Sequence, residues 1–312
     1  MELQEEIDAS KILFTGLDNS GKTSIILALQ REFSQIATLK PTRQAQRKIF
    51  EYLQHKIAEW DLGGQAHYRI AYLKSPSKYF DKTSVCIYVI DIQDEVRLGE
   101  SLSYLKDVIT QFQKLEITPP IYIFLHKFDP TLKKNAPVET AKKLLEIKNK
   151  ASEIIGKTHT TEFFKTSIYD PWTVMASFSK ILLSLYPQSE LVDKTIKEFA
   201  EKNEAEAVLV LDMNSLIIGQ YFKNEEARTT LESSTPYFLT LHDSFQNAET
   251  ESKSKSTKRM IIERSGKGFF FDEIKHRDDQ KPLYILMMKD KKEFSEKEIE
   301  TFMKIFNDIV QP

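Results

Sequence analysis

Cysteine, glycine and long hydrophobic runs are scarce in this sequence of 312 residues, and their scarcity excludes several classes of protein. The single cysteine, Cys86, excludes an internal disulfide framework and a cysteine-rich metal site. It stands in the apolar run Val85–Ile90, where a small buried hydrophobic side chain is expected. No apolar stretch approaches the roughly 18–20 residues that a membrane-spanning helix needs. A net charge of −2, with both signs interspersed, gives no bulk attraction to nucleic acid or anionic membranes.

The two ends of the sequence carry no recognisable targeting or lipidation signal. The acidic start, Met1–Glu6, resembles neither a signal peptide nor a transit peptide. Glu2 stands where N-myristoylation needs a glycine, and the final residues Val310–Pro312 offer no cysteine for prenylation. We therefore expect a cytoplasmic protein without a direct lipid anchor.

Strand and helix patterns alternate through the first 187 residues. The continuous apolar runs Val85–Ile90 and Ile121–Leu125 are typical of central parallel strands that are covered on both faces. Apolar residues alternate in part over Ile49–Trp60, which predicts two short strands joined near Gln54–Lys56. Further predicted elements are the strands Lys11–Thr15 and Thr161–Thr166 and the helices Lys22–Glu32, Glu95–Lys114 and Pro171–Tyr186. We predict an α/β domain over residues 1–187, with a doubly wound, mostly parallel six-stranded sheet and one antiparallel edge strand.

Residues 188–312 have a different order of predicted elements, because their strands cluster instead of alternating with helices. The predicted order is helix, two strands, helix, three strands and a closing helix. The elements are Glu190–Asn203, Ala205–Leu211, Ser215–Tyr221, Glu225–Asn247, Lys258–Glu263, Gly268–Glu273, Leu283–Met288 and Ser295–Val310. This order predicts a second, α+β domain with an antiparallel sheet. The Ser/Lys-rich stretch Thr250–Arg259 is either a basic nucleic-acid patch or a solvated loop, and we expect the loop.

Four of the nine glycines lie in two short segments, and the first of these has the pattern of a phosphate-binding loop. Gly16–Thr23 fits G-x-x-x-x-G-K-[ST], follows an apolar strand and opens a helix. Backbone N–H groups of such a loop, together with the positive end of the helix dipole, bind phosphates. Lys22 is expected on the β- and γ-phosphates and the Thr23 hydroxyl on Mg²⁺. The predicted nucleotide-binding residues here are Gly16, Asp18, Asn19, Ser20, Gly21, Lys22, Thr23 and Ser24.

The second glycine pair lies in Asp61-Leu62-Gly63-Gly64-Gln65, directly after a predicted strand. Asp61 is expected to organise the metal ion, Gly64 to bring a backbone N–H to the γ-phosphate, and Gln65 to orient the attacking water. A threonine in the preceding loop can add its hydroxyl to the Mg²⁺ site. We favour Thr42 for this position, with Thr38 as the competitor. Lys22 and Gln65 are thus the expected catalytic residues, and Thr23, Thr42 and Asp61 the expected metal ligands.

A third segment, His126-Lys127-Phe128-Asp129, follows the strand Ile121–Leu125. An aspartate there can accept the N1–H and exocyclic amine hydrogens of guanine, whereas adenine offers the opposite pattern. The Lys127 stem can lie across the base and ribose. Ser167 and Ile168, after the last strand of the first domain, would donate backbone amides to the base carbonyl oxygen.

These segments together resemble the Ras-like small GTPases, and more narrowly the Arf, Sar and Rag members. Gly16–Thr23, including Asp18, and Trp60–Gln65 look like Arf and Sar sequences. His126–Asp129 departs from the usual N-K-x-D and is similar to the H-K-x-D of Rag/Gtr GTPases. Phe164–Asp170 also looks Rag-like.

The resemblance implies a P-loop GTPase domain that binds GTP, GDP and Mg²⁺, and a C-terminal roadblock-like dimerisation domain. The element order of residues 190–310 matches a roadblock domain. A longin-like domain is the alternative, and the helix before the first strand favours the roadblock. Implied partners are a homodimer or a Rag-type heterodimer, exchange and GTPase-activating proteins, and a roadblock-protein scaffold. A partner would then recruit the protein to a membrane.

We expect a Mg²⁺-dependent GTPase switch that is slow alone and accelerated by an activating protein. No arginine of the sequence can be assigned as an internal finger, so an activating protein would supply one. One alternative is a nucleotide-bound scaffold with negligible turnover that acts through its roadblock domain. Another is an ATP-using phosphoryl-transfer enzyme, against which Gln65 and Asp129 argue.

Overall fold

The computed structural model describes residues 9–36, 38–252, 259–274, 282–290 and 293–310. The chain divides into two compact units, Met1–Ser177 and Phe178–Pro312. This division falls inside a helix, and the domain boundary predicted after residue 187 stays a prediction. The sequence features at residues 1–8, 253–258 and 311–312, including most of the Ser/Lys-rich stretch, lie outside the described residues. No helix in the described ranges has the length and apolar character needed to cross a membrane.

The first unit contains a six-stranded sheet in the order β2-β3-β1-β4-β5-β6. Its strands are β1 Ser10–Thr15, β2 Ala45–Tyr52, β3 His55–Leu62, β4 Thr83–Asp91, β5 Ile121–His126 and β6 Thr161–Thr166. Only β2 runs antiparallel to its neighbour, and it lies at one edge. The predicted fold class, a mostly parallel sheet with one antiparallel edge strand, is confirmed.

Eight helices begin in this part of the chain as the structure describes it. They are α1 Lys22–Leu29, α2 Phe33–Ile36, α3 Ala66–Lys74, α4 Pro76–Tyr79, α5 Leu98–Lys114, α6 Pro130–Asn135, α7 Pro137–Ile155 and α8 Pro171–Leu185. The short helices α2, α4 and α6 have four to six residues and were not predicted individually. Helices α5 and α7 bury their apolar stripes in one core cluster with the central strands β1, β4 and β5.

The hairpin β2–β3 is longer than the sequence pattern indicates. Its turn residues, Leu53 and Gln54, both have positive φ, 47° and 63°, as a two-residue hairpin requires. From that turn the register continues to the pair Ala45 and Leu62, so β2 starts four residues before the predicted Ile49. Most of β2 is exposed, and an exposed edge strand has little apolar alternation to reveal it.

The second unit contains a five-stranded sheet in the order β8-β7-β11-β10-β9, and every neighbouring pair is antiparallel. Its elements are α9 Ser189–Lys202, β7 Ala207–Leu211, β8 Ile217–Phe222, α10 Glu225–Ser252, β9 Met260–Arg264, β10 Lys267–Ile274, β11 Leu283–Lys289 and α11 Glu296–Val310. The α+β class and the element order agree with prediction, and this architecture is compatible with a roadblock-like domain.

Alternating side chains of β10 separate the two faces of the second sheet. Phe271 stacks on Phe238 of α10, with ring centroids 5.9 Å apart. Phe270 points to the other face and contacts Phe294, just before α11. The unit therefore has three layers, with α10 alone on one face and the pair α9 and α11 on the other.

Candidate nucleotide-binding site

A cavity of about 210 Å³ lies at the carboxyl ends of β1 and β3 in the first unit. The loop after β1, the segment before β2 and the loop after β3 meet there, as expected of open α/β sheets. It is lined by Asp18, Asn19, Gly21, Lys22, Thr23, Ser24, Leu39, Lys40, Pro41, Thr42, Gly64 and Gln65. Nine of these twelve residues belong to the predicted site.

Backbone conformation explains the glycines of the phosphate loop. Gly16 and Gly21 have φ of 137° and 96°, a region that side chains other than glycine strongly disfavour. A Cβ atom on Gly16 would lie 2.4 Å from the carbonyl oxygen of Val89. A Cβ atom on Gly64 would lie 2.1 Å from the backbone nitrogen of Asp18, so the loops after β1 and β3 are in direct contact through Gly64.

Lys22 is held inside the phosphate loop. Its ammonium group donates to the carbonyl oxygens of Leu17 at 2.7 Å and Gly16 at 3.1 Å. Ser20 contributes its hydroxyl at 3.4 Å. Burial lowers the pKa of Lys22 to about 8, although the Asp61 and Asp18 carboxylates favour its charged form. A buried cation whose partners are mostly neutral carbonyls is well suited to meet an anionic ligand.

Three oxygen-bearing side chains converge beside Lys22. The hydroxyls of Thr23 and Thr42 are 2.6 Å apart, and Thr23 donates to Oδ2 of Asp61 at 2.7 Å. Thr42 lies 3.5 Å from the same carboxylate oxygen. The competitor Thr38 instead donates its hydroxyl to the carbonyl of Gln35. The three residues predicted as metal ligands are thus together in the structure.

The Asp61 carboxylate is the informative member of this cluster. It is buried, and burial raises its pKa despite the opposing charge of Lys22 and the hydrogen bond from Thr23. Its Oδ1 atom has no hydrogen-bond partner among the described residues. A buried carboxylate oxygen without a hydrogen-bond partner destabilises the folded state unless a cation or a water molecule binds it. Two hydroxyls and one carboxylate are hard oxygen donors of the kind Mg²⁺ selects, so the residues present fit this ion. The described ranges hold no cluster of three His, Cys, Asp or Glu side chains arranged for a metal.

Gln65 lines the cavity opposite the phosphate loop and caps the start of α3. Its backbone carbonyl accepts the amides of Tyr68 and Arg69, each at 3.0 Å. The side chain is half-buried.

The residues predicted to recognise the base form a second cluster, at the carboxyl ends of β4, β5 and β6. Ser167 donates its hydroxyl to Oδ1 of Asp129 at 2.5 Å. Gln93 donates its amide to Oδ2 of Asp129 at 2.8 Å and to the carbonyl of Lys127. The Lys127 ammonium group lies 2.6 Å from the Asp91 carboxylate. Each Asp129 oxygen therefore keeps one lone pair for a further donor. Ile168 follows Ser167 and is partly exposed.

His126 joins this base-side cluster to the phosphate loop. Its Nδ1 atom is 2.9 Å from the hydroxyl of Thr166, and its ring edge lies against Gly21. Burial lowers the pKa of His126 to about 4, with the charge of Lys127 acting in the same direction and Asp129 opposing. The neutral ring therefore packs on the phosphate loop at Gly21.

Two neighbours of the site were not found from the sequence. Gln93 follows the end of β4 by two residues, so its proximity to Asp129 follows from parallel strands ending at one edge, although a lone glutamine gives no motif. Arg97 lies 2.6 Å from the Asp18 carboxylate of the phosphate loop. It was overlooked because 79 residues separate it from Asp18. Asp61 and the base-side residues are not among those that line the cavity itself.

Residues 11–238 match the model of the Gtr1/RagA G protein conserved region, well over half of the chain. The chain belongs to the Gtr1/RagA family of G proteins. The resemblance drawn from its motifs is confirmed, and the protein is a guanine-nucleotide-binding GTPase of Rag/Arf type.

Individual relatives are each similar to part of the chain. ADP-ribosylation factor-like protein 3 of Chlamydomonas reinhardtii is 35% identical over 127 residues, 41% of this chain and 67% of that protein. ADP-ribosylation factor F of Dictyostelium discoideum is 30% identical over 119 residues, 38% of this chain and 60% of that protein. A solved structure of the Arl6 BBS3 small GTPase from Trypanosoma brucei, with the bound nucleotide analogue GppNp, is 22% identical, with a TM-score of 0.44. That match covers 56% of this chain and 96% of the other.

Proposed function

We propose that this Gtr1/RagA family member is a Mg²⁺-dependent switch that hydrolyses GTP slowly alone and faster with an activating protein. The observation that carries the proposal is the cluster of the partly buried Thr23 and Thr42 with the buried Asp61, beside Lys22. Thr42 belongs to the segment before β2, so a ligand held by this cluster would link the order of that segment to the bound nucleotide.

Each residue has a distinct proposed role. The ammonium of Lys22 neutralises charge on the β- and γ-phosphates, and Thr23, Thr42 and Asp61 would hold Mg²⁺. When bound, the ion would neutralise charge that develops on the phosphates. Gly64, pressed against Asp18, presents its backbone N–H at the γ-phosphate end of the cavity. Gln65 orients the hydrolytic water.

Base recognition is proposed for the second cluster. Asp129 accepts the N1–H and exocyclic amine of guanine with the lone pairs that Ser167 and Gln93 leave available. Lys127, fixed by Asp91, would lie along the base. The backbone amide of Ser167 donates to the Thr173 hydroxyl at 3.0 Å, so the amide of Ile168 is the one proposed to meet the base carbonyl oxygen. His126 links this cluster to the phosphate loop. Adenine would present an acceptor to Asp129, which disfavours ATP.

The C-terminal unit is proposed as a roadblock-like dimerisation module. Its sheet ends at β9, where Ile261 and Ile262 are exposed. On α10, Tyr237, Leu241 and Phe245 recur every four residues and are also exposed. No strand of the described residues pairs with the outer edge of β9. This edge and the apolar stripe on α10 are each a surface that a second module of the same architecture can cover. This arrangement supports the proposal of a homodimer or a Rag-type heterodimer. We further propose that the protein is cytoplasmic and is recruited to membranes by a partner or a roadblock-protein scaffold.

The decisive experiment displaces fluorescent GDP from purified protein with GTP or ATP, in the presence and absence of Mg²⁺. We expect GTP to compete and ATP not to compete, and we expect Asp129→Ala to lose this preference. Asp107→Ala, which changes an exposed aspartate of α5, is the matched control. Equal competition by ATP would contradict the proposed base recognition. Phosphate release that stays at the no-enzyme baseline, even with candidate activators, would favour the scaffold instead.

A further inference from the structure

Four charged side chains connect the phosphate loop to α3, the helix that begins directly after Gln65. We call Asp18, Arg97, Glu100 and Arg69 the Arg97 bridge. Arg97 lies 2.6 Å from Asp18 and, through Nε, 3.1 Å from Glu100. The other carboxylate oxygen of Glu100 contacts Nη2 of Arg69 on α3. The bridge thus runs from the loop after β1, across the start of α5, to α3.

A second contact strengthens the α3 end of the bridge. The Arg69 guanidinium lies 5.0 Å from the ring centre of Tyr104 on α5. The Tyr104 hydroxyl is 3.2 Å from that of Thr15, the residue before Gly16. Arg69 is therefore connected to the phosphate-loop segment by two routes, through Glu100 and Arg97 and through Tyr104.

Arg69 is closely tied to Gln65. Its backbone amide donates to the Gln65 carbonyl at 3.0 Å, which closes the first turn of α3. Its side chain is only 11% exposed, and its Nε atom has no hydrogen-bond partner in the described part of the chain. A displacement of this side chain would therefore move the turn that positions Gln65.

The charges of the bridge are arranged around a cationic site. Arg69 and Arg97 are both near enough to Lys22 to disfavour its charged form, and the carboxylates Asp18 and Asp61 offset them. Burial acts to raise the pKa of Asp18, but the hydrogen bond and charge of Arg97 outweigh it and leave that pKa lowered. Asp18 is therefore an anion that holds Arg97 at the loop.

We propose that Arg97 and Glu100 are positioning residues for GTP hydrolysis, which transmit the order of the phosphate loop through Arg69 to Gln65. The inference rests on the proposed role of Gln65. Arg97 acts through Asp18 on the phosphate loop, and Glu100 acts through Arg69 on α3.

An arginine is required at the centre of the bridge. Its planar fork meets two carboxylates at once, with Nη2 on Asp18 and Nε on Glu100. A lysine offers a single nitrogen, so it cannot donate from the two separate positions that Nη2 and Nε occupy. Because these pairs are partly exposed, they contribute little to global stability. Variants are expected to fold, and their effects to appear in local order and kinetics.

Three variants separate the two arms of the bridge. Arg97→Ala is expected to speed GDP release and to slow single-turnover GTP hydrolysis, each by about threefold to tenfold. Glu100→Gln is expected to slow hydrolysis to a similar extent while GDP release stays within about twofold of wild type. Arg97→Lys keeps a cation against Asp18, so it should behave like Glu100→Gln. Lys143→Ala breaks the nearby Lys143–Glu95 pair, neither member of which belongs to the bridge, and is the matched control.

Hydrogen–deuterium exchange gives a readout that does not depend on turnover. With a non-hydrolysable GTP analogue bound, amides of Ala66–Lys74 should exchange faster in Arg97→Ala and Glu100→Gln than in wild type or Lys143→Ala. Unchanged exchange and unchanged hydrolysis in Glu100→Gln would overturn the bridge. Wild-type protein that binds GTP but never hydrolyses it would instead contradict the proposed function, and the exchange measurement would still decide whether the bridge orders α3.

Discussion

The imidazole of His126 lies directly against Gly21, so the base-recognition loop and the phosphate loop are packed on each other. A Cβ atom on Gly21 would be 2.4 Å from Cδ2 and 2.7 Å from Nε2 of that ring. The contact requires glycine on one side and a neutral, flat side chain on the other. His126 also bonds to Thr166, so the ring connects three loops at the carboxyl edge of the sheet.

Protonation of His126 should destabilise the folded protein. Its pKa falls from the ordinary 6.5 to about 4 on folding, so between these values the unfolded chain binds more protons than the folded one. Stability should therefore fall as the pH drops from about 6.5 towards 4, by about 3 kcal/mol at most. The measurement is the free energy of unfolding in urea across this range.

His126→Asn removes the titrating group. The difference in unfolding free energy between variant and wild type at each pH therefore separates the contribution of His126 from that of the carboxylates. His55→Asn, at the exposed first residue of β3, is the control for replacing a histidine by asparagine and should retain the wild-type pH profile. If wild type and His126→Asn lose stability in parallel below pH 6.5, His126 is not a buried neutral ring.

The preference for guanine should change with the Asp129 side chain. In Asp129→Asn, one carboxylate oxygen, a hydrogen-bond acceptor, is replaced by an NH₂ group, a donor. This donor no longer fits the exocyclic amine of guanine, but it fits the carbonyl of xanthine at the same position. The Ser167 hydroxyl can rotate to accept the new NH₂ group, so the side chain should stay in position. We expect the affinity for GDP to fall on the order of 100-fold and the affinity for xanthosine diphosphate to rise.

Competition against fluorescent GDP and fluorescent xanthosine diphosphate measures both affinities. Asp107→Asn on α5 is the control and should retain the wild-type preference for GDP over xanthosine diphosphate. Equal losses for the two nucleotides would mean that Asp129 supports the loop and does not read the base.

Much of this site could be foreseen because its parts are local in sequence. The phosphate loop occupies eight consecutive residues, and β5 and β6 are followed directly by the residues predicted to face the base. Parallel strands then bring these segments to one edge, whatever the loop details. The hairpin β2–β3 was only partly foreseen, because strand pairing with β3, and not apolar alternation, extends β2 to Ala45.

Long-range charge pairs could not be foreseen in this way. Arg97 lies near the start of an amphipathic helix, where a charged residue ordinarily faces solvent. Its partner Asp18 is far away in sequence, and no periodicity relates the two. Gln93 illustrates the same limit, since an amide in a loop becomes informative only when Asp129 is known to lie 2.8 Å away.

Metal removal should accelerate nucleotide release through Asp61. In wild type, EDTA is expected to speed the dissociation of fluorescent GDP, because Thr23, Thr42 and Asp61 lose their shared ligand. Asp61→Asn should release GDP fast with or without EDTA. The same substitution removes a carboxylate whose pKa is raised by burial, so the nucleotide-free variant should be at least as stable as wild type.

Glu59→Gln is a matched control for this experiment. Glu59 lies two residues earlier on β3 and is also buried, and burial, together with the charge of Asp61, raises its pKa to about 7. Glu59 makes no hydrogen bond to the hydroxyls of Thr23 and Thr42 in the described structure. GDP release from Glu59→Gln should therefore still respond to EDTA. Loss of the EDTA effect in Glu59→Gln, or its persistence in Asp61→Asn, would contradict a metal site centred on Asp61.

The exposed stripe on α10 should govern self-association of the C-terminal unit. Leu241→Glu and Phe245→Glu each put a charge into a surface that dimerisation would bury, and burying one large apolar side chain is worth about 1.5–3 kcal/mol. We therefore expect each variant to weaken dimerisation by at least about tenfold. Sedimentation equilibrium of the full chain, alone and mixed with a candidate heterodimer partner, measures this. Leu145→Glu, at a similarly exposed leucine of α7, is the control and should associate as wild type does. A wild-type dimer that survives both α10 substitutions would mean that the stripe lies outside the interface, and the edge strand β9 would then be the surface to substitute next.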